Sequence, residues 1–408
     1  MDELYYKLRE HFDSGPIPFP ETDDKIEIDL LKEFFTEDDC RLLLALGWVR
    51  VTTEKIHKRV KKLGFPEGDL PLEDIQEKLQ RLYLNGSINM KIKQGKQKYC
   101  LDPVVVGWFE HKIDFLTPEQ VKMFQEYGEK AFARVWGGDG IDDGVPPQMR
   151  VLLHPEAIKR GKIISDDTKE IQIGEEFTRE PEVALYDDVR EMILESPEDG
   201  LYVLVNCICK QSQDLLGEPC KITDNRKHCL SIGQSAQKYL DRGQGTRITK
   251  KKAISHVEWQ IQQGMVLKCG NYRDELREVC ACCGCCCGVL VNAKKLDRPV
   301  DIFHVMYQAS INHKACINCG LCMSRCQMDA IIENQGDGKV KYFVDENRCI
   351  GCGICVETCD QGAINLFKKN TKEPPRNKDE FVKKRIKHRF GRFGLIKFTL
   401  KAMFGLKI

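Results

Sequence analysis

The pattern Cys316-x2-Cys319-x2-Cys322-x3-Cys326 recurs as Cys349-x2-Cys352-x2-Cys355-x3-Cys359. Three cysteines two residues apart let one short loop turn three thiols toward one centre, and the fourth falls outside that loop. Of the 21 cysteines only Cys40 and Cys100 lie outside residues 207–359, and Cys269 is the least patterned of those inside. The N-terminus MDELYYKLREHFDSG has no basic start followed by an apolar run, so a reducing compartment is expected, in which free thiols serve metal rather than disulfides. No apolar run approaches the ~18 residues of a membrane span. A cytoplasmic location is therefore expected.

Structural zinc takes cysteines as two x2-spaced pairs, whereas here three evenly spaced cysteines plus a fourth occur twice, which favours iron–sulfur ligation. The segment resembles the bacterial two-cluster ferredoxin domain. That resemblance implies two [4Fe–4S] clusters with crossed fourth ligands: Cys316, Cys319, Cys322 and Cys359 for one, Cys349, Cys352, Cys355 and Cys326 for the other. Gly320, Gly351 and Gly353 suit loops whose amides approach sulfur closely. One departure stands out. The family has Pro after each fourth cysteine, and this chain has Gln327 and Asp360.

Upstream lie ten more cysteines: Cys207, Cys209, Cys220, Cys229, Cys280, Cys282, Cys283, Cys285, Cys286 and Cys287. Adjacent residues of extended backbone point apart, so neighbours such as Cys282 and Cys283 are poorly placed for one centre and could serve two. The ten could supply two further cubanes with two thiols over, or one cubane, an unusual cluster or a zinc. At least one further Fe–S cluster is expected, with zinc or redox thiols as the alternatives. His228 reads as a polar helix-end residue rather than a ligand. A CxC pair at a strand end and a CCxCCC run just before a two-cluster segment resemble a family of iron–sulfur proteins of anaerobic electron-transfer chains.

The expected fold class is multidomain α+β. Residues 1–29, with Pro16, Pro18 and Pro20, read as an arm. Residues 30–111 give three helices and a hairpin, with Leu72, Ile75, Leu79 and Leu82 as the stripe of the third helix, and resemble a winged helix. Residues 112–147 read as a helix and a linker at Gly137–Gly140, 148–291 as a cysteine-rich α+β module, 292–367 as the two-cluster domain and 368–408 as a basic tail. Nucleic acid is not expected as a partner: residues 30–111 carry 14 basic and 12 acidic residues, and Glu73, Asp74 and Glu77 open the third helix.

The formal charge is +1, but residues 368–408 alone carry 14 basic and three acidic side chains. Val382, Ile386, Phe390, Phe393, Ile396, Leu400 and Phe404 recur every three or four residues among them. A basic amphipathic helix of this kind suits an anionic membrane surface or a membrane subunit, and so a peripheral membrane location, with a helix docked on an acidic partner or a disordered basic tail as the alternatives. No phosphate loop, nucleophile elbow or HExxH motif is present, so no catalytic residues are assigned. The combined expectation is a non-catalytic electron-transfer subunit of an anaerobic oxidoreductase, relaying single electrons between redox partner proteins. The rivals are a redox-sensing winged-helix regulator and a reductase with an unusual cluster in the cysteine-rich module.

Overall fold

The computed structural model describes residues 2–136, 145–154, 157, 163–164, 188–197, 200–336, 339–368 and 373–403. The linker at Gly137–Gly140 and the tail residue Phe404 lie outside these. The chain is mixed α+β and divides into two compact units.

The first unit comprises residues 1–145, 241–244 and 382–408. Residues 1–29 are not a free arm. Tyr5, Leu8 and Phe12 recur at helical spacing, form the buried face of helix α1 (Asp2–Asp13), and Phe12 meets Phe19 edge-on at 6.2 Å. Phe19 in turn packs on Tyr127 of α6 (Pro118–Trp136), so the proline stretch lies on core rather than in solvent. Between them run α2 (Ile26–Phe34), α3 (Glu37–Ala45), strand β1 (Val51–Thr52), α4 (Thr53–Lys62), α5 (Leu72–Leu84), β2 (Ile88–Lys93) and β3 (Lys96–Leu101). A capping box starts α3: Asp39 N donates to Thr36 Oγ1 at 3.2 Å and Thr36 N to Asp39 Oδ2 at 3.1 Å. The hairpin turns on Gln94 and Gly95, both at positive φ, and β1 pairs with β3 to give the sheet order β1-β3-β2.

The tail helix, Lys378–Met403, is broken at Gly391, where φ is 68°. Before the break it is docked. Ile386 and Arg385 are buried, Arg385 Nε donates to Pro16 O at 3.0 Å, and Arg389 donates to Asp13 O at 2.7 Å. Beyond the break Phe393, Ile396 and Leu400 are exposed. Of the periodic stripe Ile386 is packed, whereas Phe390, Phe393, Ile396 and Leu400 face solvent.

The second unit comprises residues 146–240 and 245–381. Its seven-stranded sheet has the order β11-β4-β9-β10-β7-β6-β8, from β4 (Met149–Val151), β6 (Tyr202–Asn206), β7 (Lys227–Ile232), β8 (Thr246–Ile248), β9 (Val266–Gly270), β10 (Glu278–Cys282) and β11 (Phe303–His304). One face is covered by the helix Lys250–Gln262, which Thr249 caps by accepting from Lys252 N at 3.2 Å. Val257 and Ile261 of that helix bury against Leu204, Leu230 and Leu267, each worth about 2 kcal/mol of transfer free energy. Two smaller sheets follow, β12-β15-β5 from Tyr307–Ile311, Ile364–Lys368 and Ile163–Ile164, and the hairpin β13-β14 from Ile331–Gly336 and Lys339–Val344.

Candidate metal centres

In each four-cysteine segment the backbone takes the left-handed conformation at the same three positions counted from the first cysteine. These are Asn318, Gly320 and Asp329 in one and Gly351, Gly353 and Gly362 in the other. At Gly351 a Cβ would stand 2.0 Å from Tyr307 O, so glycine is required there for space as well as for φ. The turns let the loops wrap inward and then start the short helices Leu321–Arg325 and Ile354–Thr358. Cys322 lies near Cys316, Cys319 and Cys359, Cys352 near Cys326 and Cys349, and Cys355 near Cys349, Cys352, Cys326 and Cys322. Cys326 lines one cavity with Cys349, Cys352 and Cys355. Backbone amides point at sulfur: Ala330 N lies 3.3 Å from Cys326 Sγ and Ala363 N 3.4 Å from Cys359 Sγ.

The two thiol groups differ in surroundings. Cys326, Cys349, Cys352 and Cys355 line an apolar cavity with Ala309 and Ile331, and burial pushes the Cys352 thiol up to about 12. Cys319 is exposed, beside exposed Ile317, Leu321 and Met323. A buried histidine stands behind the inner group, with Nδ1 of His154 2.8 Å from Glu357 Oε2, Nε2 2.8 Å from Met265 O, and its backbone N donating to Cys352 O.

The ten upstream cysteines separate into two groups of six and four. Six stand near one another as a closed series of neighbours: Cys207 beside Cys209, Cys209 beside Cys287, Cys287 beside Cys282, Cys282 beside Cys280, Cys280 beside Cys229 and Cys229 beside Cys207. Local structure explains the convergence. Cys207 ends β6 and caps the helix Ile208–Leu215, which carries Cys209; Cys229 lies on β7; Cys280 and Cys282, two residues apart on β10, share a face; Cys287 caps the helix Gly288–Ala293. The remaining four, Cys220, Cys283, Cys285 and Cys286, lie within 4.8 Å of one another. Cys282 and Cys283 therefore serve different groups, as do Cys286 and Cys287.

Two buried lysines accompany these thiols. Lys268 Nζ is 3.4 Å from Cys287 Sγ; burial opposes its charge, but the thiolates of Cys282, Cys287 and Cys280 outweigh that and raise its pKa. Lys210 Nζ has no hydrogen-bond partner among the described residues, and its charge acts on Cys283 and His228. His228 is not at a helix end. It lies on β7, fully buried against Trp259 at 5.3 Å, and burial, with Lys210 adding to it, lowers its pKa to about 4, so the ring is neutral.

Gln327 accounts for the first of the two departures from the ferredoxin pattern. Its Oε1 accepts from Gly284 N at 2.7 Å, and its Nε2 donates to Gly264 O at 3.1 Å, tying the Cys283–Cys286 loop to the residue after Cys326. Proline has no group for either bond. Gly284 is held so close that a Cβ would sit 2.4 Å from Gln327 O. His154 and Lys268 are single polar residues in apolar segments, and Lys210, although it follows the Cys207-x-Cys209 pair, has no spacing that marks it as a charge partner. Only the fold brings them beside thiols.

Residues 309–372 match the 4Fe-4S dicluster domain family. No curated protein and no solved structure matches the chain. The C-terminal part of the second unit is thus of ferredoxin type, and the chain carries the ligands of an iron–sulfur electron-transfer domain.

Proposed function

We propose that this chain is an electron-relay subunit of an anaerobic oxidoreductase system, with two [4Fe–4S] clusters in residues 309–372 and a third iron–sulfur group in the six-cysteine circuit. The observation that carries the reading is the pair of four-cysteine loops with matching turns inside the dicluster-family segment, where Cys326 lines one cavity with Cys349, Cys352 and Cys355. Fourth ligands exchanged between the loops would set two clusters side by side, so that an electron can pass from one to the other. The exposed apolar surface of Ile317, Leu321 and Met323 beside Cys319 suits transient docking of a redox partner protein. Chemistry on a substrate belongs to that partner.

The first unit serves in docking. A winged-helix-like reading is supported by its order of helix, strand, two helices and hairpin, with β1 against β3. The two basic side chains of α5 are engaged with acids: Lys78 with Asp38 at 3.4 Å and Arg81 with Asp39. That leaves little charge on this helix face for phosphates, which favours a protein partner over the regulator reading.

Protein purified without oxygen is expected to contain iron and acid-labile sulfide in equal amounts. Stepwise reduction should produce spin-coupled EPR signals from neighbouring clusters. Iron-free protein with zinc in both four-cysteine loops would sink the relay.

Among the described residues no helix is long and apolar enough to cross a membrane. The segment after Gly391 is the membrane-facing part in this reading, because it exposes Phe393, Ile396 and Leu400 and carries four basic and no acidic residues. Each basic residue near an anionic surface contributes about 1 kcal/mol at low salt. Deleting residues 391–408 removes this surface and spares the docked Arg385, Ile386 and Arg389. The shortened protein is expected to shift from native membranes to the supernatant with its visible absorbance unchanged, as measured by fractionation at two salt concentrations. Equal partitioning of both forms would show that the tail binds no membrane.

A further inference from the structure

Cys220, Cys283, Cys285 and Cys286 stand closer together than cluster ligands can. Their sulfur separations are 3.7 Å for Cys220–Cys283, 4.0 Å for Cys220–Cys285, 3.4 Å for Cys283–Cys285 and 3.6 Å for Cys285–Cys286. Four thiolates bound tetrahedrally to one zinc at about 2.3 Å are about 3.8 Å apart, which follows from the bond length and the tetrahedral angle. Around a cubane each thiolate lies outside its own iron, and the separations widen to roughly 6 Å. Among the described residues no other set of three or more cysteines is this compact. The thiols of the two four-cysteine segments are therefore spaced differently from this quartet.

We infer that the quartet binds a single tetrahedral zinc ion and is a structural knuckle, chemically distinct from the cluster sites of the same chain. Four thiolates on Zn²⁺ leave a net charge of −2, and the buried ammonium of Lys210, without a hydrogen-bond partner among the described residues, lies where it can offset part of that charge. The ion has no redox chemistry, so its contribution is positional. Cys283 follows Cys282 and Cys286 precedes Cys287, and in each pair one thiol belongs to the quartet and the other to the six-cysteine circuit. Binding the quartet orients the loop so that Cys282 and Cys287 face the circuit. The Gly284–Gln327 hydrogen bond carries the same loop to the residue after Cys326. The assignment stands whether or not the circuit holds iron.

The test uses the full-length protein purified without oxygen. Zinc is expected at one ion per chain, with a zinc-edge absorption spectrum fitted by a single shell of four sulfurs at about 2.3 Å. Cys220 is the variant of choice because it is the quartet member outside the CCxCCC run. Cys220→Ser should lower zinc at least tenfold while the EPR signals of residues 309–372 persist. Cys220→His should restore it, since three cysteines and a histidine also form a zinc site. Cobalt supplied in place of zinc should show tetrahedral thiolate bands in the unaltered protein and lose them in Cys220→Ser. Zinc absent from the native protein, a shell of nitrogen or oxygen at its edge, or a loss of iron and sulfide with zinc unchanged in Cys220→Ser would each overturn the inference.

Discussion

Replacing Cys359 with alanine is expected to remove the cluster held by the loop of Cys316, Cys319 and Cys322, although Cys359 lies in the other segment. Iron bound to residues 309–372 should fall by about half, from about eight to about four atoms, with an equal loss of sulfide. The physical reason is that in the proposed ligation Cys359 supplies the fourth thiolate of the first loop, beside Cys322. The surviving cluster should be the inner one, lined by Cys326, Cys349, Cys352 and Cys355 and walled by Ala309 and Ile331. Its EPR spectrum should lose the broadening that spin coupling to a neighbour produces. Cys326→Ala should give the reciprocal result and spare the cluster beside exposed Cys319. Quantitation of iron and sulfide with EPR of both variants checks this, and loss of the Cys349 cluster in Cys359→Ala would mean that the ligands do not cross.

The second large effect concerns the six-cysteine circuit. Cys229→Ala opens it between Cys207 and Cys280. The variant should lose most of the iron and sulfide bound outside residues 309–372, because alanine supplies no thiolate in place of Cys229. Lys268→Met is the finer probe. Removing a buried cation 3.4 Å from Cys287 Sγ disfavours an added electron. The midpoint potential of this group should therefore drop by on the order of 100 mV, the Coulomb energy of one charge at several ångströms in an effective dielectric near 20. The potentials of the two clusters in residues 309–372 should move much less. Unchanged iron in Cys229→Ala, measured against the unaltered protein, would show that the circuit is a set of thiols without metal.

The amino-acid sequence by itself determined what depends on short separations. Two-residue spacing sets how three thiols can share one loop, so the eight cysteines from Cys316 to Cys359 were readable as cluster ligands, and residues 309–372 match the dicluster family. The opposite orientation of neighbouring side chains in extended backbone marked Cys282 and Cys283 as facing apart, and only Cys283 belongs to the compact quartet. Helical spacing likewise marked Leu72, Ile75, Leu79 and Leu82, and three of these are buried on α5. Tertiary structure alone decided what depends on distant segments meeting. It turned the stretch taken for an arm into core through Phe12, Phe19 and Tyr127, and split the tail at Gly391 into a docked and an exposed half. It also divided ten cysteines into a circuit of six and a compact four, since Cys207, Cys229 and Cys280 meet only when β6, β7 and β10 lie side by side. Lys210 and Lys268 carry no pattern in the chain, and their meaning comes from the thiols beside them. Local rules act over one turn or one loop, whereas burial and charge compensation are properties of the packed interior.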